Sequence, residues 1–459
     1  MQPARTGAAA ACVFAALSGC QSYDPRPLDP SAHHGAWLAR SPEHEGVAAF
    51  ARRLAMNEGH PAPYDLTDGL SLQEGETVAL FFNPDLRMAR LRAGVALASA
   101  EHARLWEDPV LGVDAERILG SVDHPWVLGV SLGFTLPISG RLAVEESRAH
   151  AAHRAELRRV LAAEWSARLG LRATWLEWSS QQLRAELSGD LLGRLESILA
   201  VVSRLEQAGE LSRIEARLFR IEQMTRSTEW RAIEARTSEL ELTLRALMGL
   251  APAAPLGLVP TSLGAPDQLR TSSDLDTRNP TLAALRADYE VSEEALRLEI
   301  REQYPDITIG PGFGTDEGDS RVLLGLSLPI PLWNQNRRGI AEAVAQRDLA
   351  RGAFETAIER TGASLAMAHG RHAAARAHRA ALEGEMVPMV EEQDTETRRV
   401  ADLGQVDTLL LLETLARLHD AKNALIDARL AEAIAALRVE ELTGPPFAPV
   451  ADSSEGTKR

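Results

Sequence analysis

The chain has 459 residues with 65 acidic and 49 basic side chains, a formal net charge of −16. This acidic balance disfavours a nucleic-acid-binding protein, because phosphate backbones are bound by basic patches. Hydrophobic residues make up 45% and aromatic residues 5%, and the dominance of Ala, Leu, Arg and Glu is typical of long helices and coiled coils rather than of a large globular enzyme.

The N-terminus has the layout of a bacterial signal peptide over residues 1–19: Arg5, the apolar run Ala8–Leu17, and a small-residue cleavage site. Its end, Leu-Ser-Gly-Cys20, resembles a lipobox, which predicts cleavage before Cys20 and a covalent lipid on its thiol. Cys12 would leave with the leader, so no cysteine remains for a disulfide or a metal. The alternative is an ordinary signal peptide with a chance cysteine. Residues 20–69 are expected to be a lipid-anchored tether with a short helix.

The sequence contains an internal duplication. Four features recur in the same order at offsets of 192–196 residues: Asn83-Pro84-x-Leu86 and Asn279-Pro280-x-Leu282, Pro109 and Pro305, Gly133-x-x-Leu136-Pro137-Ile138 and Gly325-x-x-Leu328-Pro329-Ile330, Arg204-x4-Gly209 and Arg399-x4-Gly404. Units this long are not solenoid repeats. We therefore predict a first repeat at 70–252, a linker at 253–278, a second repeat at 279–444 and a disordered tail at 445–459.

Each repeat is predicted to contain a helix, two strands and two further long helices. Ser71 and Glu74 form a capping box at the start of the first repeat. No proline lies between Pro137 and Pro252, so residues 141–206 can form one helix roughly 100 Å long. Pro388 lies inside the equivalent helix of the second repeat and predicts a kink or break there.

Four strands are predicted, at about 109–119, 126–136, 306–314 and 321–330. Each alternates apolar residues with small or polar ones, a pattern typical of membrane β-barrel strands, although a soluble sheet with one covered face alternates in the same way. Glycine, serine and threonine on the second face favour the membrane. The residues expected to face lipid are Trp126, Leu128, Val130, Leu132, Phe134, Val322, Leu324, Leu326 and Leu328.

A membrane sheet must close, because lipid leaves no backbone group unpaired. Four strands are too few to close a barrel, since the smallest barrels of this type have eight. The chain is therefore expected to oligomerise, and three copies would give about twelve strands. Trp126 and Trp333, at strand ends, fit an interfacial aromatic belt.

The lipobox, the duplicated plan, both Asn-Pro starts and both glycine breaks together resemble the TolC family of outer-membrane efflux channels. The segment from Ser327 to Gly339 looks like the heavy-metal (CzcC/CusC-like) branch. The resemblance implies a mainly α fold whose four strands complete a 12-stranded barrel in a homotrimer, continued by a long helical barrel across the periplasm. It also implies a passive duct in the outer membrane, a periplasmic adaptor and an inner-membrane pump of the resistance-nodulation-division (RND) type.

The family's adaptor-docking tips correspond to the two glycine breaks, where an exposed apolar pair beside the glycine can pack against partner helices. The matching positions are Arg204, Leu205, Gly209, Leu211 and Ser212, and Arg399, Val400, Gly404, Val406 and Asp407. Family members also carry a constricting acidic ring after the second tip. Glu413 matches it, Leu410 departs from it, and Glu215 is the first-repeat candidate; a solvated helix face is the alternative for both glutamates.

No catalytic constellation is found, and we expect neither an enzyme nor a metal site. The pairs His150/His153 and His369/His372 lack an obvious third ligand and are expected to be solvated. Three rival functions stay open at this point: a duct for drug efflux or type I secretion, a periplasmic coiled-coil adaptor, and a structural lipoprotein without a pore.

Overall fold

The computed structural model describes residues 23–58, 64–120, 123, 125–266, 269, 275–316, 318–402 and 408–445. The predicted signal peptide, Cys20, the tip residues Gly404, Val406 and Asp407, and the tail beyond residue 445 lie outside the described residues. Their assignments therefore stay predictions.

The first repeat is preceded by two short helices. These are α1 (Pro30–Leu38) and α2 (Glu45–Glu58), and the repeat itself contains α3 (Leu72–Phe82), α4 (Pro84–Glu101), β1 (Val110–Arg117), β2 (Trp126–Leu136), α5 (Arg141–Ala208) and α6 (Arg213–Leu247). Ser71 caps α3 with the predicted capping box: its hydroxyl accepts from the Glu74 amide, and the Glu74 carboxylate accepts from the Ser71 amide. The 68-residue helix α5 confirms the single long helix predicted from the proline-free stretch.

The second repeat follows the same order. Its elements are α7 (Leu275–Arg278), α8 (Pro280–Arg301), β3 (Ile307–Asp316), β4 (Asp319–Ser327), α9 (Arg337–Ala381), a π-turn (Leu382–Met386), α10 (Val387–Asp402) and α11 (Thr408–Thr443). The π-turn ends two residues before Pro388, so where a kink or break was predicted the structure has an irregular turn inside a continuous helical stretch. Proline has no N–H and its ring displaces the carbonyl four residues earlier, that of Gly384, so the regular hydrogen-bond ladder cannot continue.

The four strands form one antiparallel sheet in the order β1-β2-β3-β4. Its last strand differs from the prediction, since β4 ends at Ser327 and leaves Leu328 outside the strand. The ladder with β3 stops at the pair Thr308–Ser327, and Pro329 has no N–H with which to extend it. At its other end β4 begins earlier than predicted, at Asp319, because Gly318 at φ +92° makes the tight turn from β3.

The two Asn-Pro motifs have the same structural role in both repeats. Asn83 caps α4, and its Nδ2 donates to the carbonyl of Leu247 at the end of α6 (2.8 Å). Asn279 caps α8 and donates in the same way to the carbonyl of Leu442 at the end of α11 (2.9 Å). Each repeat is thus closed by one asparagine that joins its first long helix to its last.

The largest buried cluster lies where α3, α5 and α6 meet in the first repeat, around Val78, Trp175 and Leu244. Val47 of α2 belongs to the same cluster, so the segment before the repeat is packed onto it. Among the described helices, none is both long enough and apolar enough to cross a bilayer.

Candidate functional site: an apolar sheet face and two hairpin tips

The register of the sheet brings the apolar residues of all four strands onto one face. Val113 lies opposite Val130, Val130 opposite Phe313, and Phe313 opposite Val322. The rows on either side continue the pattern, for example from Phe134 through Ile309 to Leu326. The nine residues predicted to face lipid are all exposed: Trp126, Leu128, Val130, Leu132, Phe134, Val322, Leu324, Leu326 and Leu328. A continuous exposed apolar face of this kind marks a membrane or interaction surface.

The opposite face is made mostly of small and polar side chains, with Val110, Val127 and Leu323 as its apolar members. Gly129 lies between Asp114 and Gly314, and Gly314 pairs in turn with Arg321. A Cβ atom on Gly314 would lie 2.8 Å from the carbonyl oxygen of Leu128, so no larger residue fits there without a backbone shift. The glycines thus keep this part of the face free of large side chains, and a small, polar face suits the water-filled side of a membrane sheet.

A polar junction ties the two repeats together where the sheet meets the helices. Ser139 Oγ and Arg141 Nε both donate to the carboxylate of Asp306, at 3.0 and 2.7 Å. Arg141 also donates to Glu107 at 2.6 Å. The segment that leaves β2 is thus bound to the residue that precedes β3. No local sequence pattern predicts this contact, because Arg141 and Asp306 are 165 residues apart.

The first hairpin tip is a glycine-terminated helix followed directly by a capped one. Gly209 has φ +79°, and its N–H donates to the carbonyl of Glu206 (3.2 Å), while Leu205 accepts from Glu210 and Leu211. Ser212 then caps α6. The Glu215 carboxylate accepts from the Ser212 amide at 3.0 Å, which gives this candidate gate residue a capping role.

The prediction that the apolar pair beside Gly209 is exposed is wrong. Leu205 and Leu211 are both half-buried, and Leu211 packs against the cluster of Val202 and Phe219 inside the hairpin. The exposed apolar residues lie further along α6, at Ile214 (76% exposed), Leu218 and Ile221. Their spacing of four and three residues places them on one helix face, and this periodicity was the available sequence signal.

At the second tip the structure describes Arg399 and Val400, at the end of α10, and both are exposed. Glu413 lies on α11, where it accepts from Arg417 at 2.6 Å, and both side chains are exposed. The two gate candidates therefore differ in the single chain: Glu215 stabilises a helix start, whereas the exposed Glu413 pairs with Arg417.

The histidine expectation requires a correction at His372, which is 6% exposed rather than solvated. Its Nε2 has no hydrogen-bond partner and lies 4.0 Å from Glu432 on α11. Burial lowers its pKa from the ordinary value of 6.5. His153 Nδ1 lies 3.2 Å from the carbonyl oxygen of Ala93. Across the described part of the chain, no group of three His, Cys, Asp or Glu side chains could hold a metal ion.

Beside His372, an ionic cluster joins the π-turn to α11. Arg379 donates to both Glu432 and Glu383, and Glu383 also accepts from Arg429. The two arginines hold the pKa of Glu383 below its ordinary value. The cluster therefore fixes the irregular turn of the second repeat against its last helix.

The family match to known proteins falls on the second repeat. Residues 271–445 match the sequence profile of the family described as outer membrane efflux protein. The cobalt-zinc-cadmium resistance protein CzcC of Cupriavidus metallidurans is 25% identical over 154 residues, which cover 33% of this chain. The match spans about a third of that relative's length, 35%.

The fold of the described chain is that of solved outer-membrane channels. It superposes on CusC with a TM-score of 0.68, at 15% identity over 81% of this chain and 92% of that one. For VceC of Vibrio cholerae the TM-score is 0.67, at 16% identity over 81% and 96%. For the CmeC channel of Campylobacter jejuni it is 0.69, at 13% identity over 84% and 88%. The predicted fold class, mainly helical with a four-stranded portion, is confirmed.

Proposed function

Residues 271–445 belong to the outer membrane efflux protein family, and from that premise we propose that the chain is the outer-membrane channel subunit of a tripartite efflux system. It is a passive exit duct and not an enzyme. A periplasmic adaptor and an inner-membrane RND-type pump are its partners, and the pump supplies the energy.

The observation that carries this proposal is a four-stranded sheet with two unpaired edges and one exposed apolar face. β1 and β4 are the free edges of the sheet. Below it, α4 packs on α5, α5 on α8 and α8 on α9, so the helices repeat the order of the strands. Three copies joined edge to edge would close both layers, giving a barrel of about twelve strands above a helical barrel.

The proposed location is the outer membrane, with the N-terminus held by lipid on Cys20 and the helices in the periplasm. The apolar sheet face supports the membrane contact, and the Leu-Ser-Gly-Cys20 sequence supports the anchor. Two or three acyl chains would anchor the chain stably where one would not.

Metal cations are the proposed substrate. The relative from Cupriavidus metallidurans is named for cobalt, zinc and cadmium resistance, and Glu413 is exposed on α11. In a trimer, three Glu413 carboxylates in one ring would favour cations over anions. The adaptor would dock at the tips, where α6 presents Ile214, Leu218 and Ile221.

The test is single-channel conductance of the purified mature protein in a planar bilayer, after its mass has been measured. We expect a trimer with discrete, cation-preferring conductance that rises and loses cation preference in Glu413→Ala. Glu355→Ala is the matched control, because both glutamates pair with an arginine one turn away and both are 57% exposed. A monomer that never inserts would overturn the channel, and a trimer without cation preference would overturn the metal assignment.

A further inference from the structure

The junction between the two repeats indicates which contacts the segments next to the free strands β1 and β4 would make. Within the chain, the segment leaving β2 is bound to the segment leading into β3 through Ser139, Arg141 and Asp306. The segment leaving β4 and the segment leading into β1 are the corresponding parts at the two free edges. They lie on opposite edges of one sheet, so within one chain they cannot bind each other as the two inner segments do.

Sequence correspondence between the repeats shows that the same arginine–aspartate pair does not recur at those edges. Arg141 and Arg337 both begin a long helix and are 196 residues apart. Asp306 and Val110 each follow a proline and are also 196 residues apart. The arginine is thus present at the outer junction, but the carboxylate is replaced by an exposed valine.

Apolar residues take the place of the ion pair on both sides. The segment leaving β4 exposes Ile330, Leu332 and Trp333, the last at 87%. The segment leading into β1 exposes Leu105 and Trp106. In the first repeat, the corresponding segment after β2 is shorter and ends in the ion pair instead.

The segment leaving β4 is held in place and is not a loose loop. Asn336 Nδ2 donates to the carboxylate of Glu299 on α8 at 2.7 Å, and to the carbonyl of the same residue at 2.9 Å. Gln335 and Asn336 both have positive φ, at 45° and 49°, a conformation that is uncommon for glutamine and that asparagine adopts more readily. The end of the segment that enters α9 therefore has a defined position, three residues after Trp333.

We propose that Ile330, Leu332 and Trp333 form an apolar seam with Leu105, Trp106 and Val110 of a second copy of this chain. This proposal rests on the trimeric channel proposed above and names the residues that join its protomers beneath the sheet. A second copy is the occupant because the equivalent segment of the first repeat lies against protein, in the same order of elements. Burying the two tryptophans between copies would remove a large apolar area from water, because each aromatic side chain buries roughly 150–250 Å².

The test is cysteine crosslinking in outer membranes of cells that produce the full-length chain. Leu105→Cys is combined with Leu332→Cys, which keeps both tryptophans, and a short bismaleimide is added. The seam predicts loss of the monomer band and the appearance of covalent dimer and trimer. Leu119→Cys with Leu332→Cys is the control, because Leu119 is exposed but lies beyond the other end of β1, about 27 Å away along the strand. The single-cysteine variants account for any reaction at Cys20.

Two further measurements separate failure of the seam from failure of the channel. The mass of the native complex reports the trimer independently: a trimer without the crosslink between positions 105 and 332 overturns the seam alone, and a monomer overturns both proposals. A nitroxide on Leu332→Cys is then tested against oxygen, which concentrates in lipid. Protection from oxygen is expected at a protein seam, and full accessibility would assign this segment to the bilayer instead.

Discussion

At the scale of single residues, two glycines carry the closure of the repeats. Gly249 and Gly444 follow the carbonyls that Asn83 and Asn279 bind, and both have positive φ, +71° and +85°. A Cβ atom would lie 2.2 Å from the Phe82 carbonyl oxygen at Gly249, and 2.3 Å from that of Arg278 at Gly444. Each glycine thus permits a helix end and a helix start to meet at backbone distance.

We expect Gly444→Ala to lower the free energy of unfolding by more than about 1–2 kcal/mol, the cost of a left-handed alanine alone, because the methyl group also clashes with backbone. Gly193→Ala is the control: a Cβ atom added to this glycine inside α5 would meet no atom within 4 Å beyond the neighbouring backbone of its own helix, so the change should stabilise by about 0.5–1 kcal/mol. Urea unfolding followed by circular dichroism measures both. Equal unfolding midpoints for the two variants would contradict the proposed close packing at Gly444.

Part of this residue-scale picture could be predicted from the sequence. Gly249 and Gly444 are 195 residues apart and fit the repeat offset. Ser212-x-x-Glu215 is the same capping signature as Ser71-x-x-Glu74, and it marks the start of α6 in the same way. The bond from Asn83 to Leu247 could not be predicted, because it joins residues 164 positions apart and no local pattern encodes such a contact.

At the scale of helices and strands, the break in the second repeat distinguishes it from the first. The sequence predicted a break from Pro388, but not its form, a five-residue π-turn whose Glu383 bridges Arg379 and Arg429. That form depends on tertiary partners on α11. Strand positions were predicted well where alternation is strong, as in β2, and less well at β4, whose ends depend on Gly318 and on pairing with β3.

The buried His372 makes the packing of α9 on α11 sensitive to pH. Its folded-state pKa is below the unfolded value of 6.5, chiefly because of burial, opposed by Glu432 and reinforced by Arg376 and His369. The unfolded chain therefore binds the proton first, and stability falls as the pH drops below 6.5 towards the folded-state pKa. His372→Gln should flatten this part of the profile, measured as urea midpoints from pH 7.5 to 5. His150→Gln, at an exposed histidine, tests whether loss of any imidazole has that effect; an unchanged slope in His372→Gln would contradict the assignment.

At the scale of the whole molecule, one repeat cannot bury its own surfaces. The first repeat pairs with the second through β2–β3, α5–α8 and the Arg141–Asp306 contact. The same edges recur at the two sides of the chain, where β1 and β4 have no further strand partner among the described residues. Duplication thus pairs the inner edges β2 and β3 and leaves β1 and β4 open. The apolar face of the sheet, opposite the glycine-rich face, still needs an apolar partner outside the chain.

Two neighbouring leucines on β4 test whether that environment is lipid. Leu324 shares the apolar face with Pro311, whereas Leu323 lies on the opposite face against Gly312. An arginine facing the middle of a bilayer costs roughly 2–4 kcal/mol, and an arginine facing the lumen costs little. We therefore expect Leu324→Arg to reduce the amount of chain recovered in washed outer membranes, and Leu323→Arg to leave it near the wild-type amount. Both leucines are exposed in the single chain, so exposure alone predicts equal effects. Equal recovery of the two variants would therefore contradict the proposal that this face contacts lipid.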